Sequence, residues 1–350
     1  MKALVYNGPR DIRFESFKDP ELGSRNSAIV KVKSCSICGS DLHIYHGDHI
    51  GSVDYGTGVK KFCVGHEFIG EVVEAGPDVH GLRVGDQVLA AGGAGCGKCE
   101  HCMSGRSQKC RAVTAFGLSA AMNGGQAEFV NVPNADSTLM PIPDGISDEQ
   151  AVLLTDAAAT AYFGITNADV QPGSTVAIVG LGPIGLIGVE LAFILGASKV
   201  FAIDPIEERR GRATALGAVS FAPGKEAVAQ IKDQTEGVGA HSVFEASGVK
   251  AAVDTAVSLV RPNGTLSFIE LPQPDVTLPL MLLLYKNITV RAGVAPVPLF
   301  WQHLVPLMQQ GRLKTTGLFT HSLNLSEGAE AYDLFDKHKD GVVKVMLNVS

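Results

Sequence analysis

The stretch GSTVAIVGLGPIGLIGVELAFILGASKVFAID, residues 173–204, leaves its part of the chain one kind of fold. A short apolar, β-branched run ends at a glycine turn, a longer apolar run opens as a helix, and a second short run closes on an acidic residue. Gly180, Gly182 and Gly185 stand as G-x-G-x-x-G in the strand–turn–helix context that gives this spacing meaning. The glycines permit a tight turn, close approach of a pyrophosphate to the backbone, and packing of helix against strand. Asp204 lies nineteen positions beyond Gly185, where a carboxylate can bind both adenosine ribose hydroxyls and repel a 2′-phosphate. NAD is therefore expected over NADP. Arg209 is a further candidate contact to the cofactor, although Arg209 and Arg210 fall on the polar face of IEERRGRATALGA and read more simply as solvated charges.

From TVAIVG onward, the short apolar runs KVFAID, AVSFA, HSVFEAS, GTLSFIE and NITVRAG alternate with helical segments. That alternation predicts an α/β unit with a six-stranded, doubly wound parallel sheet. Up to about residue 155 the pattern differs: SAIVKVKS, GEVVEAG, DQVLAA and GQAEFVNVP alternate with glycine turns, as in an antiparallel, barrel-like domain. The tail from about Pro296 holds a helix around FWQHLVPLMQQG and ends in a strand-like KVMLNV.

The first half also carries two unlike cysteine patterns. Cys96, Cys99, Cys102 and Cys110 fall within fifteen residues, the first three at C-x-x-C spacing, so one loop can wrap one tetrahedral ion. Soft thiolates suit zinc or an iron–sulfur cluster, but a seven-residue gap before Cys110 and Arg111 after it depart from the ferredoxin run, and zinc is expected. A closed four-thiolate shell of this kind is structural. By contrast Cys38, followed by Asp41, His43 and the triplet Gly65-His66-Glu67, offers an incomplete shell. A catalytic zinc uses three protein ligands and keeps the fourth position for water or substrate, and Cys38 and His66 are two candidates for it. Asp41 reads as the carboxylate that takes the other N–H of a ligating imidazole.

SICGSDLHIYHG is similar to the GICGSDLH signature of the zinc-dependent medium-chain alcohol dehydrogenases, and GHEFIGEVVEAG with GLRVGDQV resembles that family's zinc signature. The resemblance runs through the four-cysteine loop, the nucleotide fingerprint and the closing KVML. It implies a GroES-like, barrel-type catalytic domain over residues 1–157 and 295–350, with a structural zinc lobe at about 93–112. It also implies a Rossmann NAD-binding domain over 158–294, and a cleft between the domains holding zinc and nicotinamide. The family's third zinc ligand lies in a segment that here reads LLTDAAATAYFGI, and Asp156 is the match; helix capping is the plain role for such a residue. Two zinc ions per chain follow from the resemblance. It further implies a proton relay through Ser40 and His43, and a Glu67 that approaches the metal transiently. Thr160 and Ile184 are expected behind the nicotinamide, and Lys344 near the pyrophosphate.

A hydrophobic content of 45%, a charged content of 19% and a formal charge of −7 suit a two-domain soluble chain of 350 residues and give no basic patch for nucleic acid or an anionic membrane. The N-terminus has no apolar h-region, and no apolar stretch is long enough to span a bilayer. A cytoplasmic location is expected, consistent with reduced thiols. Cys35 and Cys63 read as core thiols, His46 and His49 as solvated loop residues, and Trp301 as lining either a pocket or a subunit contact. Family likeness implies a homo-oligomer, a tetramer over a dimer. The expected activity is hydride transfer between an alcohol, secondary by the likeness of an Asp third ligand, and NAD. Two other readings are a polyol, butanediol or threonine-type dehydrogenase, and a zinc-stabilised NAD-binding sensor without turnover.

Overall fold

A computed structural model of the chain describes residues 1–50, 53–54, 61–273 and 275–349. Gly51, Gly56 and Gly58 of the glycine-rich stretch between the two zinc signatures lie outside the described residues, as does the His49 side chain. The chain divides into two compact units, one of Met1–Ala159, Pro296–Gln310 and Thr316–Ser350, the other of Thr160–Ala295 and Gly311–Thr315.

The first unit is built around the strand Ala28–Ser36. Its spatial neighbours run Leu139–Pro141, Gln87–Ala90, Glu67–Ala75, Ala28–Ser36, Lys344–Asn348 and Phe319–Asn324, and Phe129–Val132 also pairs with Ala28–Ser36. Alternation of buried apolar and outward polar residues along these strands turns one face of the sheet inward. The core holds Phe62, Phe68, Phe116, Tyr6 and Tyr332, with Phe68 and Phe116 edge to face at 5.2 Å between ring centroids. Two register facts position the site. Ser36 lies opposite Glu67 on one side and opposite Met346 on the other, so the end of Ala28–Ser36 alone separates the C-terminal strand from the start of Glu67–Ala75. Cys35 and Cys63 are core thiols, as expected, and burial pushes Cys63 up to about 12.

The second unit contains a six-stranded parallel sheet in the order Val219–Phe221, Lys199–Ile203, Thr175–Val179, Ala240–Glu245, Val260–Phe268, Thr289–Ala292. The order reverses between Thr175–Val179 and Ala240–Glu245, and ligands of such sheets sit at the carboxyl ends of the strands at that point. The helix Pro183–Ile194 starts there, with Pro183 at its first turn. Gly180 is left-handed (φ 94°), and a Cβ on Gly185 would stand 1.9 Å from the Gly180 carbonyl oxygen; the helix can meet the turn only without one. The segment Gly311–Thr315 belongs to this unit, whereas the sequence places it with the barrel. The reason is Glu190, which is half-buried on the helix and accepts the N–H groups of Lys314 and Thr315 at 2.8 and 3.0 Å.

Candidate active site

Cys38 caps the helix Gly39–His46, and this local structure is written in the sequence. Asp41, at the third helical position, accepts the Cys38 N–H through Oδ2 at 2.9 Å, the acidic half of a capping box. Its other oxygen lies 3.1 Å from His66 Nδ1. A carboxylate only accepts, so His66 carries its proton on Nδ1 and turns Nε2 the other way. Asp156 arrives from elsewhere, at the break between the helices Asp148–Thr155 and Ala157–Asn167. The break is pinned by Trp301, buried on the helix Val297–Gln309, whose indole N–H donates to the Leu154 carbonyl at 2.9 Å. Trp301 thus packs two helices of the first unit together.

Cys38 Sγ lies 3.6 Å from Asp156 Oδ2, and His66 Nε2 lies 3.4 Å from the same oxygen. Around one zinc, with sulfur at about 2.3 Å and nitrogen or oxygen at about 2.0–2.1 Å, the edges of a tetrahedron are roughly 3.5 and 3.4 Å. The three side chains therefore fit a single ion. Burial, with help from Glu67 and Asp156, pushes the Cys38 thiol up to about 11, a penalty that a divalent cation removes by deprotonating the thiol. Burial also opposes charge on His66, but Asp41 and hydrogen bonds to Asp156, Asp41 and Cys38 hold it well above the usual histidine value.

Cys96, Cys99, Cys102 and Cys110 form a second cluster, their sulfurs all within 4.8 Å of one another, with Cys99 and Cys102 at 3.5 Å. None is in a disulfide. The N–H groups of Lys98 and Cys99 draw Cys96 down to about 6, the behaviour of a thiolate ready for a cation. Asn134 ties the loop to the barrel by donating to the Gly95 carbonyl at 2.5 Å.

Residues 24–144 match the alcohol dehydrogenase GroES-like domain, and residues 183–310 match the zinc-binding dehydrogenase domain. The chain belongs to the zinc-dependent medium-chain alcohol dehydrogenases. This dehydrogenase is 39% identical over 334 residues to a probable zinc-binding alcohol dehydrogenase of Mycobacterium tuberculosis, covering 95% of this chain and 84% of the relative. It is 30% identical to the sorbitol dehydrogenase of Bacillus subtilis, over 99% of this chain and 97% of the relative. Among solved structures, the alcohol dehydrogenase of Thermus sp. ATN1 has a TM-score of 0.90 at 34% identity, with each chain covered in full. The dehydrogenase is an α/β alcohol oxidoreductase, and its substrate is a small-molecule alcohol. No described helix is long and apolar enough to cross a membrane.

Lys344 is 1% exposed inside the first unit, its Nζ 2.6 Å from Glu67 Oε2 and 3.3 Å from the Ile37 carbonyl. The cause is the register, since the C-terminal strand enters beside Ser36, whose hydroxyl also donates to Glu67 Oε2. Burial alone lowers the Lys344 ammonium, and Glu67 outweighs it, so the lysine stays above its ordinary value. Glu67 Oε1 is buried with no hydrogen-bond partner among the described residues. Arg209 is not a solvated charge, because it is half-buried beside Asp204; burial lowers its pKa and Asp204 opposes that. Arg210 instead donates to the Asp204 and Pro205 carbonyls at 2.9 and 2.8 Å. His46 is no loop residue either: it ends the helix Gly39–His46 and lies 2.6 Å from Asp336.

In the nucleotide unit Asp204 is buried at the end of its strand. It accepts the Leu181 N–H at 2.7 Å and the Ile206 N–H at 2.8 Å, which binds the acidic residue to the glycine turn. Thr160, on Ala157–Asn167, and Ile184, in the first turn of Pro183–Ile194, are both half-buried. Sequence reasoning missed Trp301 as a brace for the Asp156 break, and missed Glu245. Buried at the end of its strand, Glu245 accepts the Ser247 N–H and hydroxyl and the Gly248 N–H at 2.8–3.1 Å. An acidic residue closing an apolar strand, FEASG, was the available signal.

Proposed function

We propose that this dehydrogenase uses NAD to oxidise secondary alcohols to ketones, and that it holds two zinc ions, one on Cys38, His66 and Asp156 and one on the four cysteines of the loop. The observation that carries this reading is the convergence of Cys38 Sγ, His66 Nε2 and Asp156 Oδ2 at tetrahedral edge lengths. When bound there, zinc supplies a Lewis acid that makes a hydroxyl oxygen far more acidic. The chain's own residues do the rest. Asp41 orients His66 through Nδ1, and Trp301 holds the helix break that presents Asp156. Glu67, pinned by Lys344 and Ser36, keeps a carboxylate beside the ligand set.

Ser40 and His43 sit three apart on one helix, so they share a face and can pass the hydroxyl proton outward. Asp204 holds two backbone amides of the nucleotide turn and retains lone pairs for two ribose hydroxyls, which supports NAD. Arg209 beside it, Gly180, Gly182 and Gly185 around the pyrophosphate, and Thr160 with Ile184 behind the nicotinamide complete the cofactor reading. Unpaired thiols throughout support a cytoplasmic enzyme. Leu280, Met281, Leu284 and Tyr285, exposed together on one short helix, support a homo-oligomer, with a tetramer preferred. A polyol substrate is the second reading, favoured by the sorbitol dehydrogenase relative.

Elemental analysis of wild type and Asp156→Ala, with turnover on a panel of secondary alcohols and polyols using NAD and NADP, tests the proposal. About two zinc ions per chain in wild type and about one in an inactive variant are expected. Full activity in Asp156→Ala refutes the ligand assignment.

A further inference from the structure

The helix carrying Ser40 and His43 ends in a way that bears on His43. Gly47 is left-handed (φ 73°, ψ 32°), and a Cβ there would meet Pro9 Cγ at 2.7 Å, so both backbone and space demand glycine. The reversal lets the Asp48 N–H donate to the His43 carbonyl at 3.0 Å and turns the Asp48 side chain back over the last helical turn. There Asp48 Oδ2 lies 3.1 Å from His43 Nδ1 and 3.8 Å from His46 Nδ1. His46 is drawn the other way, its Nε2 2.6 Å from Asp336 Oδ1, while Arg10 reaches Asp336 Oδ2 at 3.4 Å and lies over the Tyr45 ring. Among the described residues the carboxylate of Asp48 is thereby left chiefly to His43.

We infer that Asp48 is a positioning residue for the reaction: it holds the His43 ring as the Nδ1–H tautomer and so leaves Nε2 as the nitrogen that takes the substrate's hydroxyl proton. A carboxylate oxygen accepts and cannot donate, so the imidazole nitrogen 3.1 Å away supplies the N–H. The remaining ring nitrogen then has the lone pair a base needs. In the forward direction Nε2 gains one proton, the imidazolium so formed faces the Asp48 carboxylate, and the same proton passes to water. Asp48 itself takes up no proton. Both side chains are partly exposed, 26% for His43 and 45% for Asp48, so solvent can collect it. Without the carboxylate the ring is free to turn or to hold its proton on Nε2, and the relay stalls. The inference rests on the relay role proposed above for Ser40 and His43.

Two measurements separate the two ideas. Nitrogen-15 histidine spectra of the zinc-loaded protein, with the His43 signals assigned from His43→Gln, report the tautomer without turnover. The wild type is expected to show Nδ1–H at His43, Asp48→Ala to lose it, and Asp48→Glu to recover it. In steady state Asp48→Ala is expected to lower kcat for alcohol oxidation about tenfold, with KM little changed, and added imidazole buffer is expected to restore part of the loss. A wild-type Nε2–H tautomer, or an Asp48→Ala protein with unaltered tautomer and kcat beside a slow His43→Gln, overturns the role of Asp48 alone. A His43→Gln enzyme with full turnover overturns the relay itself.

Discussion

Replacing Lys344 by methionine keeps the aliphatic stem of a fully enclosed side chain and removes only its charge. In the wild type the ammonium neutralises Glu67, which is 0% exposed and has Lys344 and Ser36 as its side-chain hydrogen-bond donors among the described residues. Removing one partner of a buried ion pair leaves an uncompensated buried charge, which costs about 3–5 kcal/mol. Lys344→Met is therefore expected to be destabilised on that scale. For a unit of about two hundred residues, each kcal/mol corresponds to about 2–4 °C, so the melting transition of the barrel unit should fall by about 6–20 °C. The partner change distinguishes this cause from lost packing. In Glu67→Gln/Lys344→Met both charges are gone, and a pair replaced by neutral groups of similar volume is often close to neutral in stability. The double variant should accordingly melt above Lys344→Met. Differential scanning calorimetry of wild type, Lys344→Met, Glu67→Gln and the double variant, all zinc-loaded, makes the comparison. A Lys344→Met transition within about 2 °C of wild type, or a double variant no better than the single one, refutes the buried-pair argument.

Asp204→Asn retains one acceptor for the Leu181 and Ile206 amides and loses the charge that repels a 2′-phosphate, so the ratio of kcat/KM for NADP over NAD should rise tenfold or more, about 1.4 kcal/mol. An unchanged ratio in steady-state kinetics would place that specificity elsewhere. For Glu245, burial raises the pKa above 4.5 against the opposing hydrogen bonds from Ser247 and Gly248, so the folded protein holds this proton to higher pH than the unfolded chain. Its stabilising contribution is present at low pH and is lost as pH rises through the raised value. The melting temperature of Glu245→Gln relative to wild type should consequently climb as pH rises above the ordinary glutamate range, and a difference that stays constant with pH would contradict the assignment.

Much of the site was legible because it is local. Cys38, Asp41 and His43 are fixed relative to one another by a single helical turn and its cap, and the four cysteines by one loop. Gly180, Gly182 and Gly185 act within one strand–turn–helix, so their spacing alone implied the close approach later seen as a 1.9 Å conflict for any Cβ on Gly185. The six parallel strands were readable from apolar runs of strand length set between helices.

Legibility stopped where partners come from distant parts of the chain. Asp156 could be named only through family likeness, because nothing in LLTDAAAT distinguishes a ligand from a cap. The partner of Lys344 was hidden for the same reason: a lysine in an apolar strand signals burial with a partner, but the partner is 277 positions away. Trp301 was equally opaque, since its hydrogen bond to Leu154 spans 147 positions.

The chain's own spacing settled which segments turn and cap, and marked the loop that can wrap an ion and the turn that can cradle a phosphate, because each of these depends on a few residues joined by short, stiff stretches of backbone. Tertiary structure alone decided which carboxylate meets Cys38 and His66, which cation neutralises Glu67 and which side chain braces the helix break. Those choices depend on strand register and on packing between elements, where a shift of one residue turns a side chain to the opposite face.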